Sequence, residues 1–326
     1  MSSREALVVE VKIEKHPSAD NLSLVFVGGY TVIVNSEMWK DTPLGVYIQP
    51  DEIVDVSRPE FSFLNQGRTH ERIKAKKLRG IYSVGLLIPA PEGAVIGQNL
   101  YEELGLQHYE PELDVVKTGG LSVKGPSAWN NLSKYDIENG RNNKYRAMFV
   151  DGEPVYISEK LHGANAAFAF DGEKMHVRSR GEWKAEGENV FWRAFKSDPH
   201  IEEFCRANPN YLVCGEAYGQ VQKGFNYGCK PGEVKFACFD IQRPDRTYLG
   251  YDEFKETIKT FKIPSVPVVA EMNYDYDAIL QLAEGQSLIG SHIREGVVVK
   301  TLVERNHYHH GRVFMKIVSN KYLEKG

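Results

Sequence analysis

The sequence predicts an α+β protein in two parts, an all-β barrel or sandwich followed by a larger domain that mixes strands and helices. Three observations carry this. A chain of 326 residues is longer than one ordinary domain and suits two. Residues 7–100 hold short β-branched and aromatic runs with almost no helical periodicity. Beyond residue 150, similar runs alternate with helical stretches.

Taken in order, ALVVEVKI, SLVFVGGYTVIV, GVYIQ and YSVGLLIP read as strands of the first part, divided by the turn-forming HPSADN, KDTPLG and APEGAVIG. The segment RTHERIKAKKLRG gathers Arg68, Arg72, Lys74, Lys76, Lys77 and Arg79 against Glu71 alone. In strand geometry Arg72, Lys74 and Lys76 share one face while Ile73 and Ala75 turn inward. Residues 114–129, DVVKTGGLSVKGPSAW, lack helical periodicity and read as a linker, which leaves domains over 1–113 and 130–326. The second part carries strand candidates PVYISEK, AAFAF, MHVRSR, YLVCGE, VKFACFDI, EGVVVK and RVFMKIV, with helices expected near 188–207, 252–262 and 275–284.

Composition excludes several classes. Hydrophobic residues supply 42% and charged residues 26%, an ordinary globular mix that rules out a disordered, collagen-like or coiled-coil chain. A net charge of −4 argues against coating nucleic acid by bulk charge and leaves room for a local basic face. Glu5 and Glu10 interrupt the N-terminal stretch, so no secretory signal is read, and no segment has the ~18–20 apolar residues of a membrane span. A soluble, intracellular, monomeric protein is expected. Cys205, Cys214, Cys229 and Cys238 lack CxxC spacing and read as buried free thiols.

The charges of the second part point to a site. Glu159 and Lys160 end one strand, Glu216 ends another, Glu295 begins a third, and Lys300 and Lys316 lie on strands otherwise made of Val, Ile, Phe and Met. A charge on a buried strand is costly unless it is paired or used. Lysine is a nucleophile only after losing its proton, and Arg180, Lys300 and Lys316 converging on a polyanion would also depress the pKa of Lys160.

The ordered series Lys160-Leu161-His162-Gly163, Ser179-Arg180-Gly181, Gly215-Glu216-Ala217-Tyr218-Gly219, Phe236-Ala237-Cys238-Phe239-Asp240, Glu295-Gly296-Val297-Val298-Val299-Lys300 and Lys316 resembles motifs I, Ia, III, IIIa, IV and V of the covalent nucleotidyltransferases. KLHGAN is similar to the RNA ligases rather than the DNA ligases, which usually carry KxDG. The resemblance implies an ATP-grasp-like nucleotidyltransferase domain of antiparallel sheets and flanking helices. It implies ATP as co-substrate, Mg²⁺ or Mn²⁺, and a lysyl-AMP intermediate at Lys160. Lys300 and Lys316 would contact phosphate, Arg180 the ribose or phosphate region, and Glu216 the ribose hydroxyls. Phe239 would stack on adenine, Glu159 would lie beside its edge, Leu161 and Gly163 would complete the nucleotide site, and His162 and Asn165 would act at the nucleotide or in the later sealing steps. Glu295 would help hold the metal, with Glu216 the second candidate. The family often has a second lysine two positions after Lys316, where this chain has Val318, and Lys321 is the candidate substitute.

Two further segments are weighed. His307, His309 and His310 lack a companion ligand set and read as structural or phosphate-neighbouring rather than metal-binding. YGQVQKGFNYG lacks the GKS or GKT ending of a phosphate loop and reads as a mobile, substrate-facing loop, with Gln222 and Lys223 as nucleic-acid contacts.

HPSADNLSLVFVGG and IYSVGLLIPAPEG resemble OB-fold tRNA-binding domains, and the basic stripe of Arg72, Lys74, Lys76 and Lys77 between them suits RNA phosphates. An OB domain placed before the catalytic domain resembles the Deinococcus/Naegleria-type RNA ligases. That implies an RNA partner with 3′-OH and 5′-phosphate ends, in breaks or duplex nicks. The alternatives are an RNA-capping guanylyltransferase and a non-catalytic OB-fold RNA-binding protein.

Overall fold

The computed structural model describes residues 4–109, 120–129, 132, 134–222 and 224–325. These form two compact units. One is built on residues up to 109 together with 141–143 and 320–325, the other on residues 120–140 and 144–319. Of the linker reading, 114–119 lie outside the described residues. Residues 120–129 belong to the second unit, where Trp129 is buried in a core that the Gly, Ser and Pro around it hid from view.

The first unit is all-β apart from short turns of helix. Its strands are β1 (Leu7–Glu10), β2 (Ile13–Lys15), β3 (Leu22–Val27), β4 (Tyr30–Asn35), β5 (Leu44–Ile48), β6 (Glu52–Asp55), β7 (His70–Arg72), β8 (Lys76–Leu78), β9 (Ile81–Ser83), β10 (Leu86–Pro89) and β11 (Gln107–His108). They pair as β1-β5-β10, β2-β3-β4, β11-β6-β7 and β8-β9. The β3–β4 hairpin turns on Gly28 and Gly29 at φ +55° and +85°, the two positive values that a two-residue hairpin turn of matching twist requires. Alternate residues fill the interior: Val8 and Ile88 both face Val46 across the ladder, and all three are buried with Ile48, Val54 and Phe61.

The second unit holds β12 (Ser122–Val123), β13 (Pro154–Lys160), β14 (Ala164–Phe170), β15 (Met175–Ser179), β16 (Trp183–Lys184), β17 (Leu212–Gly219), β18 (Val234–Gln242), β19 (Val268–Asn273), β20 (Gly296–Thr301), β21 (Asn306–His307), β22 (Gly311–Arg312) and β23 (Phe314–Val318). One sheet runs β12-β16-β15-β14-β17-β18 and the other β19-β13-β20-β23, all antiparallel. The helix expected over 188–207 is two, Val190–Phe195 and Pro199–Ala207. The break has a local cause: Asp198 caps the second helix through His200 N, and Pro199 suits its first turn but not a helix interior. Helices Tyr251–Phe261 and Tyr276–Leu282 match expectation within a few residues. All four cysteines are buried and free. Among the described residues no helix is long and apolar enough to cross a membrane.

Strand alternation decides which side of each sheet is core. In the four-stranded sheet Val155, Ile157, Val297, Val299, Met315 and Ile317 share one apolar layer with the helix at 276–282. In the six-stranded sheet Ala166, Phe168, Val213 and Phe236 pack under the helices at 190–207 and 251–261. On the other face of the six-stranded sheet Ala167, Ala169, Leu212 and Cys214 pack with Trp129 and Trp183, and further along that face the cleft opens at Asn165 and Glu216.

Candidate active site

The cleft side of the four-stranded sheet carries the lysines. Register pairs Lys160 with Gly296, Tyr156 with Lys300, Val298 with Lys316, and Lys300 with Phe314, so Lys160, Lys300 and Lys316 all stand on the face opposite the valine layer. The backbone at Lys316 is held on both sides: Lys316 N donates to Glu138 O and Lys316 O accepts from Gly140 N, each at 2.9 Å. The turn after Lys160 approaches β17 so closely that a Cβ at Gly163 would lie 2.1 Å from Ala217 O and 3.0 Å from the Glu216 side chain. Asn165 stands directly across from Glu216.

Lys160 Nζ donates to Glu295 Oε1 at 2.5 Å, and His162 Nδ1 lies 3.8 Å from Glu295 Oε2. Neighbouring cations do not depress the Lys160 pKa, contrary to the expectation from sequence. Burial lowers it, but the carboxylates of Glu295 and Glu216 outweigh burial and hold it above the ordinary lysine value. Burial pushes Glu216 up to about 8, with Glu295 adding repulsion against the pull of Lys160. Burial would also raise Glu295, but Lys160 and His162 hold it below the usual carboxylate range. Lys316 is depressed to about 8 through burial and the charges of Lys160 and Arg180, and Lys300 is lowered too, burial outweighing the pull of Asp240. Arg180 pairs with Asp136, and its field reaches both Lys316 and Glu216.

The loop between β17 and β18, read from sequence as mobile and substrate-facing, is packed onto the Lys160 motif. Gln222 Nε2 donates to Gly163 O, and His162 N donates to Tyr227 Oη at 2.6 Å. Phe225 lies 4.5 Å from the His162 ring, and Leu161 is buried with Tyr227 and Val266. The aromatic character of GFNYG was the available signal, since a solvated loop has little use for two large rings. Lys223 lies outside the described residues.

Lys300 and Phe239 meet a different set of partners. Lys300 is 2% exposed, with Nζ 2.6 Å from Phe239 O and 2.8 Å from Asp240 Oδ2. Asp240 also accepts from Arg312 at 2.6 and 2.9 Å and from the Tyr135 hydroxyl. The Phe239 ring rests on Tyr135 with centroids 4.8 Å apart. Sequence reasoning missed Asp240, Arg312 and Tyr135. Glu159, on the far side of the strand from Lys160, is 1% exposed; its Oε2 accepts from Leu288 N at 2.7 Å and its Oε1 accepts no hydrogen bond.

In the first unit Ile73 and Ala75 are buried between the basic residues, as the alternation requires. Residues 73–75 fall between β7 and β8 rather than in one continuous strand. Arg72 is paired with Asp51 at 2.6 Å and stacked 3.7 Å from the Tyr109 ring, whereas Lys76 and Lys77 are exposed and Lys74 is half-buried. Lys321 lies exposed on the helix Asn320–Lys325. His307 and His310 stack at 5.0 Å in the β21–β22 hairpin, and among the described residues no three His, Cys, Asp or Glu side chains form a metal-ligand set.

Residues 153–318 match the RNA ligase family and residues 7–90 an OB-fold domain. A Naegleria gruberi RNA ligase variant with ATP and Mn superposes at TM-score 0.82 and 24% identity, covering 99% of each chain. A variant of that enzyme with AMP and Mn gives 0.81 and 25% over 98% of each chain. An apo variant gives 0.81 and 26%, over 99% of this chain and 98% of that one. No curated protein searched matches the chain.

Proposed function

The chain belongs to the RNA ligase family, and from that premise we propose that it is an ATP-dependent ligase that seals RNA 3′-OH and 5′-phosphate ends through a lysyl-AMP at Lys160. The observation that carries the reading is the contact of Lys160 Nζ with Glu295 Oε1 at 2.5 Å in a cleft that also holds Lys316, Arg180 and Glu216.

In the first step the free amine of Lys160 attacks the α-phosphorus of ATP. An N–P bond forms, the α–β P–O bond breaks, and pyrophosphate leaves. The RNA 5′-phosphate then takes AMP from Lys160, and the 3′-hydroxyl attacks that activated phosphate and expels AMP. Negative charge shifts among phosphate oxygens in each step, so cations fixed in place beforehand lower the barrier. Lys316 and Arg180 are the cations we assign to this. Glu216 suits ribose hydroxyls, Phe239 an aromatic base, and Asn165, across from Glu216, the same nucleotide. Lys300, with its charge held by Asp240, supports the Phe239 backbone and acts on phosphate only where that pair opens.

Glu295 fits a hard divalent cation. Its Oε2 is buried and accepts no hydrogen bond, and an ion held by one carboxylate, water and substrate phosphates needs no three-residue ligand set. When bound, such a cation would neutralise phosphate charge during displacement. A cation drawing on Glu295 would weaken one of the two carboxylate pulls that raise the Lys160 pKa, leaving Glu216 to raise it against burial, which lowers it. Lys160 would reach its free-amine form more readily as the carboxylates of Glu295 and Glu216 are engaged or neutralised.

Incubation with labelled ATP and Mg²⁺ or Mn²⁺ should give a covalent protein–AMP adduct that pyrophosphate reverses. Adduct formation by Lys160→Ala would overturn the mechanism, and labelling by GTP instead of ATP would point to capping chemistry. Sealing assays on nicked and open substrates would then define the break this chain repairs.

A further inference from the structure

A second concavity opens on the same sheet face as Glu216. Arg178, Ala167 and Cys214 form one row across β15, β14 and β17, and Leu212 and Gln242 form the next row in one direction. In the other direction, two residues or roughly 7 Å along the strands, lies the Asn165–Glu216 row of the active site. These residues floor a cavity of about 340 Å³ that Asn165 also lines, walled by Tyr135 and rimmed by Lys134 and Arg246. It is the size of the smaller ligand pockets, enough for about one nucleotide.

Its chemistry is one-sided. Three cations line it, and among the described residues no Asp or Glu does. Gln242 is 6% exposed, with Nε2 bonded to Arg246 O at 2.9 Å, while its Oε1 is buried without a partner and calls for a donor from a ligand. The Arg246 guanidinium is set in place by Ala128 O at 2.8 Å and by the Trp129 ring at 4.5 Å. An anion that also brings hydroxyl or amide donors and a flat ring satisfies all of these features together.

We propose that this pocket holds the 5′-phosphorylated terminal nucleotide of the RNA strand to be activated, with Lys134, Arg178 and Arg246 on its phosphate and Gln242 Oε1 on a sugar or base donor. The inference rests on the ligase reading above. It places the end to be adenylylated one row from Glu216, beside the cleft in which Lys160 would carry AMP.

The test uses the full chain carrying Lys134→Gln with Arg246→Gln, both at exposed rim positions. Its affinity is measured for RNA oligomers of one sequence bearing either a 5′-phosphate or a 5′-hydroxyl, alongside lysyl-AMP formation from labelled ATP. A lost charged contact is worth roughly tenfold or more, so the wild-type preference for the 5′-phosphate should fall at least about tenfold. Binding of the 5′-hydroxyl oligomer and lysyl-AMP formation should stay within about twofold of wild type, which also serves as the folding control. An unchanged 5′-phosphate preference overturns the proposal. So does a parallel loss of lysyl-AMP formation, which would assign the pocket to ATP. The binding comparison needs no ATP, so it decides the pocket even where the wild type fails to adenylylate, a result that would sink the lysyl-adenylate reading instead.

Discussion

Replacing Lys316 by Met should make the ligand-free protein more stable at neutral pH while weakening its chemistry. Lys316 titrates at about 8 in the fold because burial, Lys160 and Arg180 all disfavour its charge. Its ordinary value is 10.5. Above 10.5 neither folded nor unfolded chain carries this charge, and the residue costs nothing. As pH falls the unfolded chain takes the proton first, so stability is lost between 10.5 and about 8 and stays lost below that. At ~1.36 kcal/mol for each pH unit the full drop amounts to ~3.4 kcal/mol, and partial solvent access reduces the expected effect to about 1–3 kcal/mol. Met keeps the apolar stem and removes the charge. Urea unfolding of Lys316→Met and wild type at pH 7 and pH 10 should show the variant ahead at pH 7, with the gap closing toward pH 10. A variant less stable at pH 7, or a gap independent of pH, would refute the electrostatic account of this site.

Other perturbations test other parts of the structure. Gly163→Ala puts a Cβ where Ala217 O stands 2.1 Å away. Relief needs a shift of about 1 Å beside Lys160, the proposed nucleophile, and lysyl-AMP formation should fall on the order of 100-fold, with normal labelling counting against the close approach. Arg312→Met leaves Asp240 with a buried charge only partly balanced by Lys300 and should cost about 3–5 kcal/mol, read from denaturant midpoints. The double change Lys74→Ala with Lys76→Ala should weaken RNA binding and flatten the log K against log salt slope by roughly 1.4, and an unchanged slope would remove this stripe from the RNA path.

The parts of the site that lie next to one another in sequence were legible there. Lys160, His162 and Gly163 occur within four residues, and the Val-Val-Val and Phe-Met-Lys-Ile-Val runs announce strands whose odd charges must face a cleft. What the sequence left hidden is the pairing between distant segments. Counting cations near Lys160 suggested a depressed pKa. Glu295, which decides the matter, is 135 positions away. Asp240 drew no role because its partners Tyr135, Lys300 and Arg312 come from three other segments, and a lone Asp after an aromatic strand is commonplace. The Tyr227 hydroxyl bond to His162 N was invisible for the same reason, although the two rings of GFNYG already argued against an open loop.

The strict alternation along β20 and β23 ties folding accuracy to reactivity. If β23 slipped by one residue against β20, Lys316 would enter the layer of Val297 and Val299, and Met315 and Ile317 would turn out of it into the cleft. Such a mispaired sheet would be both unstable and chemically silent. The valines and isoleucines on the hidden side therefore act as a proofreading device: the arrangement that buries them is the one that presents the lysines, and a molecule that has passed the first test has already passed the second.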